Sequence, residues 1–153
     1  MKLILMLSIL VLGACATGKA YVQVQHGTVG SLTTYARSLV GAPYKYGGNS
    51  PSSGFDCSGF VGHVYLHSLG ISLPRSTGKI SHVGKPVGSK DLHAGDLVFF
   101  NTLQRKFSHV GIYLGDDRFI HAPSKGGSVR VENITEDHWR RNYDGARRVT
   151  LLR

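Results

Sequence analysis

Cys57 stands at the junction between a glycine- and serine-rich polar run, residues 46–56, and an apolar segment that opens Ser58-Gly59-Phe60-Val61. Phe60, Val61, Val64 and Tyr65 recur at helical spacing and Gly70 supplies a stop signal, so the pattern predicts a helix starting at the cysteine. Unpaired backbone N–H groups and the helix dipole at such a start favour thiolate over thiol. Nucleophilic catalysis by a thiolate needs a base within hydrogen-bond reach and a third group that orients the base. His109 is placed to be the base and His121 the orienter, accepting a hydrogen bond from it. The oxyanion would lie against the backbone N–H groups of Cys57 or Ser58, with the Tyr46 hydroxyl as a further donor.

The two histidines flank a hairpin signal. Residues 109–114 and 118–122 read as strands on either side of Gly115-Asp116-Asp117. A three-residue loop there pairs Gly111 with His121, and His109, two residues from Gly111, then shares their face. A two-residue loop shifts the register by one and sends His109 to the other face. The same three residues could instead hold zinc, since three protein ligands plus water suit a catalytic site. No ligand pair has CxxC or HExxH spacing, so no metal or other cofactor is expected. His63 and His67, four apart on the cysteine helix, read as its polar face.

Other elements must bring the cysteine and the histidines together. Leu32, Tyr35, Ala36, Leu39 and Val40 predict a helix from Ser31, ended by Gly41 and Pro43. A short helix is expected over residues 76–82. The period then changes to strands, at residues 96–100, 109–114, 118–122, 129–134 and 147–152, with a short helix over 136–143. Helices first and an antiparallel sheet afterwards define an α+β domain.

At 153 residues the chain is long enough for one domain with a real core. Eighteen Lys+Arg against nine Asp+Glu give a net charge of +9, which favours anionic partners. There is no zinc finger, RNA-binding aromatic signature or long basic helix, so nucleic acid is not an expected partner. Met1-Lys2, the apolar residues 3–12 and the small pair Gly13-Ala14 form a signal-peptide pattern too short to span a bilayer. Leu12-Gly13-Ala14-Cys15 resembles a bacterial lipobox, which implies cleavage before Cys15 and lipid on its thiol and new amino group. The only other cysteine, Cys57, is then an unpaired thiol exported to an oxidising compartment. A Cys15–Cys57 disulfide or an inert buried thiol is the alternative. The expected division is a signal peptide over 1–14, a lipidated N-terminus and tether over 15–30, and one domain over 31–153.

Six blocks occur in order: Gly41-Ala42-Pro43-Tyr44-Lys45-Tyr46-Gly47-Gly48; Phe55-Asp56-Cys57-Ser58-Gly59-Phe60-Val61; Leu73-Pro74-Arg75; Ala94-Gly95-Asp96-Leu97-Val98-Phe99-Phe100; His109-Val110-Gly111-Ile112-Tyr113-Leu114-Gly115; and Phe119-Ile120-His121-Ala122. Together they resemble the NlpC-type cell-wall peptidases. The resemblance implies a papain-like α+β fold, with the nucleophile helix on a central antiparallel sheet of about five strands. It implies a Cys-His-His triad at Cys57, His109 and His121, and a substrate site that includes Tyr46, Asp56 and Ser58. It further implies hydrolysis of peptidoglycan stem peptides through a thioester, at the bond from γ-D-glutamyl to diaminopimelate or lysine. Amidase or transpeptidase action on the same triad, or a non-catalytic wall-binding lipoprotein, are the other readings. The expected partners are stem peptides and, through the lipid, a membrane in the cell envelope. Ala16 stands where an inner-membrane retention signal has Asp, which implies the outer membrane in a Gram-negative host.

Overall fold

Helix α1 (Val29–Ser38) begins at Val29 rather than Ser31, because a cap and not the apolar stripe sets its start. The Thr28 hydroxyl accepts from Ser31 N–H at 3.1 Å and the Ser31 hydroxyl accepts from Thr28 N–H at 2.9 Å, satisfying two N–H groups that a helix start leaves free. The computed structural model describes residues 27–124 and 126–150. The signal segment, Cys15 and most of the tether lie outside the described residues.

After α1 the chain makes a small antiparallel pair, β1 (Asn49–Ser50) and β2 (Gly54–Phe55), and enters α2 (Cys57–Leu69). Asp56 caps α2 and Gly70, at φ 69°, ends it. Phe60, Val61, Val64 and Tyr65 are all buried, as their spacing predicts. His63 is half-buried and His67 exposed, and both also reach α1. His63 Nε2 lies 2.8 Å from the Tyr35 hydroxyl and the His67 ring stacks on Tyr35 at 3.8 Å, contacts between α2 and α1.

Helix α3 (Thr77–Ile80) is followed by β3 (Lys85–Val87), β4 (Leu97–Phe100), β5 (His109–Gly115), β6 (Arg118–His121), β7 (Arg130–Asn133), α4 (Asp137–Asn142) and β8 (Tyr143–Arg148). Six strands form one antiparallel sheet in the order β3-β8-β4-β5-β6-β7. The last strand starts at Tyr143, not Arg147. Helix α4 passes straight into it without a turn residue, and Tyr-Asp-Gly-Ala carries no apolar alternation to announce a strand. Arg148 secures it with a two-pronged bond to buried Asp96, both contacts at 2.8 Å. Strand β3, also unannounced by its sequence, pairs with β8 at the sheet edge.

All four residues of β4 are buried because both faces of the sheet are covered. Leu97 and Phe99 join Val110, Ile112 and Ile120 in a core against α1 and α2. Val98 and Phe100 join Tyr113, Phe119, Trp139 and Ala146 in a second core on the side of α4.

The β5–β6 register has the predicted parity, by a different device. Ile112 faces Ile120 and Tyr113 faces Phe119, which extends to Gly111 opposite His121. The turn itself is the two residues Asp116 and Asp117, at φ 50° and 57°, closing the pair Gly115–Arg118. Left-handed conformation at both central residues is the hairpin turn that suits strand twist. Leu114 is the extra residue of a bulge between Tyr113 and Gly115, and it restores the register that the short turn alone would have shifted.

Candidate active site

The site forms where the start of α2 meets the start of β5. The segment before Cys57 is tied down from the glycine-rich loop: Lys45 N–H donates to Phe55 carbonyl at 2.9 Å and Gly47 N–H to Asp56 Oδ2 at 3.0 Å. Tyr46, between those two anchors, is 89% exposed and so leaves its ring and hydroxyl to the solvent side.

Asp56 Oδ1 accepts from Gly59 N–H at 2.7 Å and from the Ser58 hydroxyl at 3.2 Å. Arg75 approaches with both guanidinium nitrogens, each 2.8 Å from one Asp56 oxygen, and also donates to Ser58 Oγ at 2.5 Å and to Gly48 carbonyl at 3.2 Å. Burial pushes the Asp56 carboxyl up, but Arg75 and the Gly59 and Gly47 amides outweigh it and hold the group below its usual range. Both oxygens of Asp56 are therefore occupied in bracing the nucleophile turn. Ser58 is 7% exposed and belongs to the same bracket. A cavity of about 170 Å³ runs from Ser58 and Arg75 along α2 to His63 and Leu66.

Among the described residues the Cys57 thiol has no disulfide partner, and it is partly buried against the helix-side core. The backbone N–H groups of Cys57, Ser58 and Val110 point at it, which places the sulfur beside the residue that follows His109. Burial, reinforced by the Asp56 charge, pushes the thiol up, and these three amides only partly offset that. The helix start acts in the expected direction, but desolvation is larger, so the resting group is a thiol.

His109 and His121 lie on the α4 side of the sheet, diagonal across Gly111. His109 Nε2 is 2.7 Å from His121 Nδ1, and the rings meet edge to face at 4.9 Å. Gly111 makes room for them: a Cβ there would sit 2.9 Å from the Ile120 carbonyl and 3.2 Å from His121 Cβ. His109 is 6% exposed and His121 fully buried. Burial, together with its neighbour His121, pushes His109 down to about 3, and burial also lowers His121. Both rings are neutral at rest.

Three residues near the site had no role in the sequence reading. Trp139 of α4 stacks on His109 at 5.7 Å and meets His121 edge-on at 5.0 Å, closing the pair from outside. Glu132 of β7 places Oε2 2.7 Å from His121 Nε2, and Arg130 Nε donates to Glu132 Oε1 at 2.9 Å. Arg130-x-Glu132 is an alternation that puts both side chains on one face of a strand, but only the pairing of β7 with β6 says which face. Among the described residues no group of three or more His, Cys, Asp or Glu side chains is set to hold a metal ion.

A thiol at a helix start, packed against the strand that carries His109 in an antiparallel sheet, is the arrangement of a papain-like domain. Residues 41–148 match the NlpC/P60 family, and the chain belongs to that family. It is 42% identical over 113 residues to murein DD-endopeptidase MepH of Escherichia coli K12, covering 72% of this chain and 42% of that protein. It is 44% identical over 118 residues to gamma-DL-glutamyl hydrolase of Bacillus subtilis 168, covering 76% of this chain and 28% of that protein. The crystal structure of an NlpC/P60 family protein from Bacillus cereus superposes with a TM-score of 0.74 at 38% identity, covering 80% of this chain and 40% of that one. The chain thus spans less than half the length of each of these relatives.

Proposed function

We propose that this protein is a cysteine peptidase that hydrolyses peptidoglycan stem peptides. The observation that supports the reading is that the Cys57 sulfur lies against the amide of Val110, next in sequence to His109, whose ring is paired with His121, in a chain of this family. Cys57 is the nucleophile, His109 the base and His121 its orienter. As the sulfur attacks the scissile carbonyl, its proton passes to His109. The tetrahedral oxyanion lies toward the amides at the start of α2, with the exposed Tyr46 hydroxyl as a further donor. Collapse breaks the C–N bond, and His109 returns the proton to the leaving amine. Water, deprotonated by His109, then cleaves the thioester and releases a carboxylate. A resting thiol and a neutral imidazole suit this sequence, because the proton moves as the S–C bond forms.

Tyr46, Asp56 and Ser58 form the substrate side, Tyr46 by contact and the other two by fixing the turn that presents Cys57. The scissile bond we propose is γ-D-glutamyl to diaminopimelate. The relatives favour a second reading as well, since one is a gamma-DL-glutamyl hydrolase and another a murein DD-endopeptidase. Lipid on Cys15 would hold the domain in the cell envelope beside this substrate, and its net charge of +9 suits an anionic wall.

Digestion of purified murein, followed by mass spectrometry of the new termini, tests the proposal. The wild type is expected to release stem-peptide fragments with new γ-D-glutamyl carboxylates, and Cys57→Ala to release none. Cleavage at D,D cross-links assigns the other bond. No release by the wild type sinks the peptidase reading. In cells, Cys15→Ser is expected to move the protein out of the membrane fraction, and an unchanged distribution rejects the anchor.

A further inference from the structure

We propose that Glu132 is a positioning residue for the imidazole pair, fixing the tautomers of His121 and His109 so that the lone pair of His109 Nδ1 is the one left for Cys57. The inference deepens the peptidase reading and rests on it for the role of His109.

The sheet dictates the placement. In the β6–β7 ladder Arg130 stands opposite His121 and Glu132 opposite Phe119, so Glu132 is the diagonal neighbour of His121 on the same face. A diagonal gap is within reach of a long side chain but not of a short one. Each Glu132 oxygen has one partner, His121 on one side and Arg130 on the other.

Proton bookkeeping follows from which atoms can donate. Burial pushes the Glu132 carboxyl up, yet its bonds to His121 and its neighbour Arg130 prevail and hold it below its usual range. It is therefore ionised at neutral pH and can only accept. His121 Nε2 must carry the proton, which makes Nδ1 of a neutral His121 an acceptor. His109 Nε2, 2.7 Å away, must then be the donor. With its proton on Nε2, neutral His109 has its lone pair on Nδ1. The histidine pair alone would not settle this, since either ring could donate to the other.

The same carboxylate answers the charge that develops during reaction. Besides each other, the titratable and charged groups acting on the rings are Arg130 and Glu132 from β7 and His138 from α4. Among these, Glu132 is the one that favours a positive charge on both imidazoles, whereas Arg130 opposes it. When the Cys57 proton reaches His109, the cation is held through His121 by a carboxylate with 20% side-chain exposure. A structural ion pair at the sheet edge would need Arg130 and Glu132 but would be indifferent to the tautomer of His121.

The test reads the tautomers and the thiol separately from murein hydrolysis. In 15N NMR spectra of the full wild-type chain near pH 7, both His109 and His121 are expected to carry the proton on Nε2. A proton on Nδ1 of His121 overturns the proposal whatever any variant does. Iodoacetamide labelling at the Cys57 peptide, followed by mass spectrometry across pH, is expected to slow by roughly tenfold or more in Glu132→Gln. Stem-peptide release should lose roughly ten- to a hundredfold in kcat with KM unchanged, and Glu132→Asp should recover part of both. Labelling within twofold of wild type in Glu132→Gln, with His121 unchanged, also overturns it. Wild-type protein with the stated tautomers and Glu132-dependent labelling but no action on murein would reject the substrate and leave the positioning role standing.

Discussion

At Cys57 a helix start and a buried environment pull the thiol in opposite directions, and burial prevails with the Asp56 charge beside it. The Asp56 carboxylate caps α2 and so must lie beside the sulfur, where its charge opposes thiolate formation. Arg75 grips both Asp56 oxygens with a planar fork and compensates that charge. Arg75→Ala is expected to move Cys57 alkylation to higher pH and to lower stem-peptide release by about tenfold, with a melting temperature only a few degrees lower, since the guanidinium is 47% exposed. Arg75→Lys should recover little, because an ammonium cannot reproduce the two-pronged geometry. Titration of the labelling rate in the three proteins decides it. An Arg75→Ala curve that overlays the wild type would remove Arg75 from this account. Leu73-Pro74-Arg75 was legible as a motif in the sequence, but nothing in its spacing from Asp56 announced the contact.

At the scale of elements, the β5–β6 hairpin decides whether His109 and His121 meet at all. Its strands, its turn residues and the requirement that His109 and His121 share a face were legible from apolar alternation and Gly-Asp-Asp. The bulge at Leu114 was not, because one unpaired residue in an apolar strand leaves the composition unchanged. Gly111 exposes the tightness of this hairpin. A Cβ there would lie 2.8 Å from the Phe119 ring and 2.9 Å from the Ile120 carbonyl, and the backbone atom cannot yield. Gly111→Ala is expected to destabilise the domain by about 1–3 kcal/mol and to cut kcat, since the Phe119 ring must shift and His121, with its Cβ 3.2 Å away, is pressed as well. Denaturant unfolding and turnover measured together check this, and a variant with wild-type values in both would show that the hairpin has slack. Helix α4 belongs to the same scale. Trp139 lies over both imidazoles only because the chain leaves β7 and returns across that face before entering β8.

For the molecule as a whole, the buried groups make stability depend on pH in one direction. His109 and His121 have folded-state pKa values below the ordinary value, so the unfolded chain binds protons there before the folded one does. Their neutral burial costs nothing above about pH 6.5 and destabilises progressively below it, by up to about 1.4 kcal/mol per pH unit for each proton. Asp56 and Glu132, also lowered, contribute stability above the ordinary carboxylate range that is lost as pH falls through their folded values. Both effects weaken the fold in acid, the histidines first. The melting temperature should therefore decline steadily from pH 7 to pH 5, and a His109→Gln, His121→Gln double variant should decline less. Equal slopes in the two proteins would mean that the histidines take up protons in the folded state.

The sequence by itself determined the helices α1 and α2, the strands from β4 to β7, the pair of histidines and the motifs of the family. These are local properties, carried by apolar spacing, caps and turn residues within a few positions of one another. Only the tertiary structure decided that burial overrides the helix start at the thiol, that His63 and His67 contact Tyr35 of α1, and that Arg75 grips Asp56 while Glu132 and Trp139 lie against the histidines. Each of those depends on chain segments far apart in sequence, brought together by sheet order and register, and charge, burial and hydrogen-bond geometry exist only once that packing is in place.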